Sequence, residues 1–109
     1  MDAEIEKLVA MLEEAETSLR KHGNSHWADW LKKDRSLIGS LDLYGIEHLL
    51  SAFGGMGSLN DQVLAEPSKD NPNKQAVSAD NVRLQSLLSE IHFLATKLLS
   101  EEQRVQRGA

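Results

Sequence analysis

The chain predicts an all-α fold: four main helices in a compact bundle, with a Gly-rich turn and a short helical turn between the third and fourth. Three observations predict it. Apolar residues recur at spacings of three and four through successive stretches of the chain. Those stretches open or close on residues suited to helix caps. Between the third and fourth, Gly54, Gly55 and Gly57 put three of the seven glycines within four positions.

The first helix spans residues 2 to about 22. Ile5, Leu8, Val9, Leu12, Ala15 and Leu19 form its apolar stripe. Asp2, Glu4 and Glu6 lie at its N-terminal end and Arg20, Lys21 and His22 at the other, which suits the helix dipole. Gly23 is placed to cap its C-terminus. Glu16 and Arg20 form an i,i+4 pair. Glu13, Glu14 and Glu16 make a dense acidic patch, read either as a solvated helix face or as a docking surface for a basic partner.

Asn24 or Ser25 caps the second helix, which runs to about Ile38. Trp27, Trp30, Asp34 and Leu37 lie close to one face. Both tryptophans of the chain fall here. Their first reading is as core anchors; the alternative is an aromatic contact for a partner. The run Lys32-Lys33-Asp34-Arg35 reads as a solvated face.

Gly39 and Ser40 break that helix, and Leu41 to Ala52 forms a shorter third one. Gly45 inside it costs ~1 kcal/mol relative to alanine. A glycine there implies either close packing against another helix or a helix that begins only at about Gly45, with Asp42 as its cap in either version. Gly54 and Gly55 end this helix and Gly57 allows a second sharp turn. Met56 is free to point back into the core. Ser58 with Asp61 has the form of a capping box for a short helical turn over Leu59, Val63 and Leu64. Asn60 and Asp61 can hydrogen-bond the exposed N–H groups of the turn. Residues 66–77 hold both prolines and read as a flexible surface loop. Ser78 or Asp80 starts the last and longest helix, which ends near Gln106 or Arg107. Val82, Leu84, Leu87, Leu88, Ile91, Leu94, Ala95, Leu98 and Leu99 form its stripe, and Val105 extends it.

Bulk properties bound the function. A chain of 109 residues suits one domain, 1–109, with one modest core. The absence of cysteine excludes disulfides and thiolate metal sites and fits a reducing cytoplasm. No apolar run approaches the ~18–20 residues that span a bilayer, and the acidic N-terminus is unlike a secretory signal. Seventeen acidic against twelve basic residues give a net charge of −5. That balance disfavours nucleic acid as a partner and suits a basic protein.

The chemistry-bearing residues form no recognisable constellation. His22 and His26 are four apart but separated by a helix break, and no H-E-x-x-H or comparable ligand set exists, so neither a metal nor a cofactor is expected. Ser58 at a Gly-rich turn lacks the G-x-S-x-G frame, although a Ser58–His48–Asp61 grouping is conceivable. Gly54 to Ser58 leading into a helix offers N–H groups to a small anion. No phosphate-loop pattern is present, and no Lys or Arg lies between Arg35 and Lys69.

The stretch Phe53-Gly54-Gly55-Met56-Gly57-Ser58-Leu59-Asn60-Asp61, with Leu49-Leu50 before it and Val63-Leu64 after it, resembles the signature of a family of small bacterial proteins of unassigned function. That family carries an F-G-G-M-G-S-[FL]-N-D-L-V-like core after a Trp-containing helix. Gln62 stands where a leucine is usual. The resemblance covers roughly residues 25–66. Small, acidic, helical, cysteine-free proteins of this kind are similar to immunity proteins that neutralise interbacterial toxins. The expectation is therefore a cytoplasmic immunity protein that occludes the active site of a basic toxin domain. Its candidate contact residues are Glu13, Glu14 and Glu16, the aromatic pair Trp27 and Trp30, and the loop residues Met56, Ser58, Asn60 and Asp61. Gly54, Gly55 and Gly57 are structural turn residues. Two alternatives stand beside it: a small anion-binding module or enzyme that uses the Gly54–Ser58 loop, and a structural homodimer through the last helix.

Overall fold

The computed structural model describes residues 3–53, 59 and 74–108, with the side chains of the last helix described from 79 to 101. Four helices make up the described chain: α1 (Ala3–Lys21), α2 (Ser25–Gly39), α3 (Tyr44–Leu50) and α4 (Lys74–Gly108). The fold is the expected all-α bundle. α1 packs between α2 and α4, and α3 bridges α2 and α4. One core runs through all four helices. Leu8, Leu12, Ala15 and Leu19 of α1 meet Ala28, Leu31 and Ile38 of α2, Ile46 and Leu49 of α3, and Leu84, Leu87, Leu88, Ile91 and Ala95 of α4. Leu59 is fully buried in the same core, and its N–H donates to the carbonyl of Ala52 at 2.8 Å. The chain thus returns to the core after the glycines. Residues 54–58 and 60–73, which hold the Gly-rich turn and most of the expected loop, lie outside the described residues.

The helix ends follow from backbone chemistry. α1 stops at Gly23, whose φ of +83° is open to glycine without a Cβ clash. The Asn24 N–H then reaches back to Leu19 O and the Gly23 N–H to Arg20 O, a Schellman closure. Asn24 turns from that closure to cap α2, its side-chain oxygen accepting from the Trp27 N–H. α2 ends on the same motif, with Asp42 N–H to Leu37 O and Leu41 N–H to Ile38 O. Here the left-handed position is held by a leucine, Leu41, at φ +62°.

α3 takes the shorter of its two expected forms, because Leu41 turns left-handed and helix begins only at Tyr44. Asp42 is not its N-cap, a place that Leu43 holds without a side-chain bond; the Asp42 carboxylate accepts from the Tyr44 N–H instead. The start of the last helix differs from the sequence expectation. α4 is longer, because it starts at Lys74, inside the expected loop. Ser78 and Asp80 are therefore interior to the helix. Instead of capping it, Asp80 pairs with Lys21 at the end of α1 and with His22 just after it.

Gly45 carries out the close-packing role. A Cβ built there would lie 2.8 Å from Leu37 Cβ, 2.9 Å from Ile38 Cγ1 and 3.1 Å from the Ile38 backbone nitrogen. This contact holds α3 against the last turn of α2 and sets where the side chains of α3 sit.

Leu41 supplies the first prediction. A left-handed leucine costs about 1–2 kcal/mol, part of which a glycine returns to the unfolded chain as entropy. Leu41→Gly should stabilise the fold by about 0.5–1 kcal/mol, read as a rise in the denaturation midpoint in urea. The side chain is 60% exposed, so little burial is lost in exchange.

Candidate functional site

The close α2–α3 crossing assembles a cluster of rings. α2 carries His26, Trp27 and Trp30 in its first two turns, and α3 carries Tyr44 and His48 one turn apart. The rings form a continuous series. His26 meets Trp27 edge-on at 4.9 Å, Trp27 lies 5.1 Å from Trp30, Trp30 stacks on His48 at 4.2 Å with planes 16° apart, and His48 lies 5.9 Å from Tyr44. Trp27 and Trp30 are half-buried and pack on the core with one side. Each thus packs against the core, as the first reading expects, and each contributes a ring to the series.

Behind the rings sits Asp34, the one fully buried charged side chain of the described core. Its Oδ1 is hydrogen-bonded to Nδ1 of His48. Its Oδ2 and the indole N–H of Trp30 are buried with no hydrogen-bond partner among the described residues. Burial pushes the Asp34 carboxyl up to about 6, against the opposing pull of the His48 hydrogen bond and of the His48 and Lys33 charges. A carboxylate bonded to one ring nitrogen fixes the imidazole plane and leaves Nε2 as its other polar atom. The same arrangement orients histidines in catalytic triads, but the Ser51 hydroxyl nearby in sequence donates to the His48 carbonyl. The pair therefore sets the position of a ring at the surface.

The raised carboxyl has a consequence for stability. The folded chain holds the Asp34 proton up to about pH 6, whereas the unfolded chain releases it near the ordinary 3.8. Folding thus takes up a proton between those values, and stability falls as pH rises through them. Relative to Asp34→Asn, which does not titrate there, the wild type should lose about 2 kcal/mol between pH 4.5 and pH 7. Urea unfolding of both proteins at the two pH values measures this.

Two large side chains of the α2–α3 connection and the start of α3 stand open: Tyr44, the last ring of the series, 55% exposed, and Leu41, three residues before it, 60% exposed. Leu41 is also the strained residue at the end of α2. Strained backbone in a non-glycine residue that projects an apolar side chain into water is a pattern associated with contact surfaces.

The acidic residues of α1 are arranged differently from a free patch. Glu14 takes a two-pronged pair from Arg83 of α4 at 2.7 and 3.0 Å. That hydrogen bond holds its carboxyl below the ordinary range. Glu16 accepts from Arg20 and from Arg35, each at 3.0 Å. Glu13 is exposed, and its side chain has no partner among the described residues. Two of the three carboxylates thus tie α1 to α2 and α4. Met56, Ser58, Asn60 and Asp61, with Gly54, Gly55 and Gly57, lie outside the described residues. Of the conceivable Ser58–His48–Asp61 grouping only His48 is described, and its Nδ1 is taken by Asp34.

The run Lys32-Lys33-Asp34-Arg35 is not one solvated face. Lys32 and Lys33 are exposed, Asp34 is buried, and Arg35 lies against Glu16. The signal for Asp34 was its register. It falls three residues after Leu31 and four before Ile38, on the buried side of α2. Among the described residues no group of three or more His, Asp or Glu could hold a metal ion. His22 pairs with Asp80, while His26 faces the tryptophans. No described helix is long and apolar enough to cross a membrane.

A family model described as a domain of unknown function (DUF6966) matches residues 20–71. No curated protein and no solved structure matches the chain. The matched segment contains α2, α3, the ring series, Asp34 and the Gly-rich stretch. It leaves out Glu13, Glu14 and Glu16 and all of α4.

Proposed function

We propose that the chain is a cytoplasmic immunity protein that binds a cognate bacterial toxin and covers its active site. Its contact surface is the α2–α3 corner, with Leu41, Tyr44 and the His48–Trp30 stack at its centre. The observation that carries this reading is the open corner itself: Tyr44, the exposed last ring of a series whose next member, His48, is held by buried Asp34, with exposed Leu41 three residues before it in the chain. Tyrosine and tryptophan concentrate binding energy when they meet a partner pre-positioned. The net charge of −5 supports a basic partner. Met56, Ser58, Asn60 and Asp61 fall within the same 20–71 segment and stay candidate contact residues from the sequence alone. Glu13 contributes long-range attraction, while Glu14 and Glu16 serve the fold through their arginine pairs.

Co-purification of the tagged chain from its native host, with mass spectrometry of what it retains, tests the proposal. The expected result is one stoichiometric partner, toxic when expressed alone and harmless when this chain is co-expressed. Tyr44→Ala should weaken that complex by about 30-fold, the loss of one central aromatic contact. Recovery of the chain with no other protein overturns the proposal.

A further inference from the structure

His48 meets Asp34 and solvent with different nitrogens. Its side chain is 16% exposed, whereas the Asp34 side chain it contacts is fully buried. Nδ1 is taken by Asp34 Oδ1. The buried polar side-chain atoms without a partner among the described residues are Trp30 Nε1, Asp34 Oδ2 and Arg35 Nε. Nε2 of His48 is not one of them, so it is the nitrogen through which the ring faces outward. Trp30, stacked at 4.2 Å, and Tyr44, at 5.9 Å, flank that ring.

The buried hydrogen bond decides where a proton leaves the pair. In the proton-poor state the carboxylate accepts from Nδ1–H, and Nε2 is bare, an acceptor. The other neutral tautomer would turn the Nδ1 lone pair onto the carboxylate with no hydrogen between them. One added proton gives either a carboxylic acid donating to Nδ1 or an imidazolium donating from it. Both forms carry hydrogen on Nε2. Wherever the inner proton sits, the atom that changes at the surface is Nε2, and the pair passes from one negative charge to none.

The surroundings place this exchange. Burial pushes the Asp34 carboxyl up to about 6, against the pull of His48 and of exposed Lys33. Glu16 of α1 reaches this part of α2 only at Arg35, where it is paired. On α3, Tyr44 flanks the ring and exposed Glu47 precedes it. On α4, His92 lies against Phe53, past the end of α3.

We propose that His48 Nε2 is a recognition atom that accepts a hydrogen bond from a lysine or arginine of the partner when the pair has lost its proton, and turns that group away when the pair holds it. Asp34 is the positioning residue that ties the exposed nitrogen to this exchange. The inference rests on the α2–α3 corner being the contact, and the net charge of −5 argues for a partner rich in cationic donors. As pH falls, such a partner loses both an acceptor and a unit of negative charge. Only the proton-poor pair binds, a fraction of about 0.9 at pH 7 and about 0.1 at pH 5 for an exchange near 6, so affinity should drop about 10-fold between them.

Two measurements test this, and the first needs no partner. Ring-nitrogen NMR of the full chain carrying isotope-labelled histidine should show His48 Nε2 bare and Nδ1 protonated at pH 7.5, with Nε2 gaining its proton as pH is lowered through about 6. A protonated Nε2 at pH 7.5, or an Nε2 unchanged between pH 7.5 and pH 5, overturns the inference. The second is the affinity of the purified partner at pH 7 and pH 5. Wild type should bind about 10-fold more weakly at pH 5. The double variant Asp34→Asn, His48→Phe keeps a ring beside Trp30 without a titrating group in the pair, and should change by less than about 2-fold. Wild-type affinity that is equal or stronger at pH 5, or a double variant with the wild-type pH dependence, overturns the inference and leaves the corner in place. A partner whose binding Tyr44→Ala does not weaken overturns the corner and this inference with it, even where the ring nitrogens behave as expected.

Discussion

His48→Ala should destabilise the fold by about 3 kcal/mol at pH 7.5 and by only about 1 kcal/mol at pH 5. At the higher pH the wild type holds an Asp34 carboxylate, fully buried, whose one hydrogen bond among the described residues comes from His48. Removing one partner of a buried pair leaves the other uncompensated, which costs about 3–5 kcal/mol when the charge persists. Asp34 limits that cost, because its carboxyl already titrates near 6 and takes up a proton more readily once His48 is gone. The lower end of the range therefore applies. At pH 5 the carboxyl is largely protonated in both proteins, and what remains is the loss of the ring stacked on Trp30, worth about 1 kcal/mol. Urea denaturation at the two pH values gives both numbers. An equal loss at pH 5 and pH 7.5 would mean that Asp34 does not carry the charge assigned to it.

Gly45→Ala should cost about 2 kcal/mol, the reverse of what helix propensity predicts. In an open helix, alanine in place of glycine gains about 1 kcal/mol. Here the new methyl meets Leu37 Cβ at 2.8 Å and the Ile38 backbone at 3.1 Å, and neither is the free end of a flexible side chain. Overpacking of this kind costs about 1–3 kcal/mol and is relieved only by moving α3 away from α2. The displacement carries Tyr44 and His48 with it, so the stack on Trp30 loosens. Thermal unfolding should show the lower midpoint, and tryptophan fluorescence should change in the folded state as well.

Much of this architecture was legible from residue types whose chemistry is local. Gly23 and Asn24 end one helix and start the next through backbone hydrogen bonds that a few neighbouring residues complete. Gly45 announced a close crossing because a glycine inside a helix needs a reason. The candidate site was less legible, because its key residue is defined by what lies across from it. Asp34 sits in a run of charged residues that reads as solvated, and only the arrival of His48 from another helix gives the carboxylate a buried partner. The acidic run on α1 misled in the opposite sense. The pair of Glu16 with Arg20 is legible in sequence and forms, but Arg83 and Arg35 come to Glu14 and Glu16 from other helices. At α4 the start was hidden by composition. Lys74, Gln75 and Ala76 are good helix formers whose polarity resembles a loop, and they follow Pro72, which suits the approach to a helix start.

Leu41 joins stability to function. The substitution that relieves its backbone, Leu41→Gly, also deletes one of the two exposed side chains at the proposed contact. A protein that gains stability and loses partner affinity by the same change is the trade expected of a functional surface.

The most direct test of the α2–α3 corner is the affinity of the purified partner for three proteins: wild type, Tyr44→Ala and Glu13→Lys. The corner predicts about 30-fold weaker binding for Tyr44→Ala and less than about 3-fold for Glu13→Lys. The opposite order, with Glu13→Lys costly and Tyr44→Ala neutral, would contradict it and place the contact on α1.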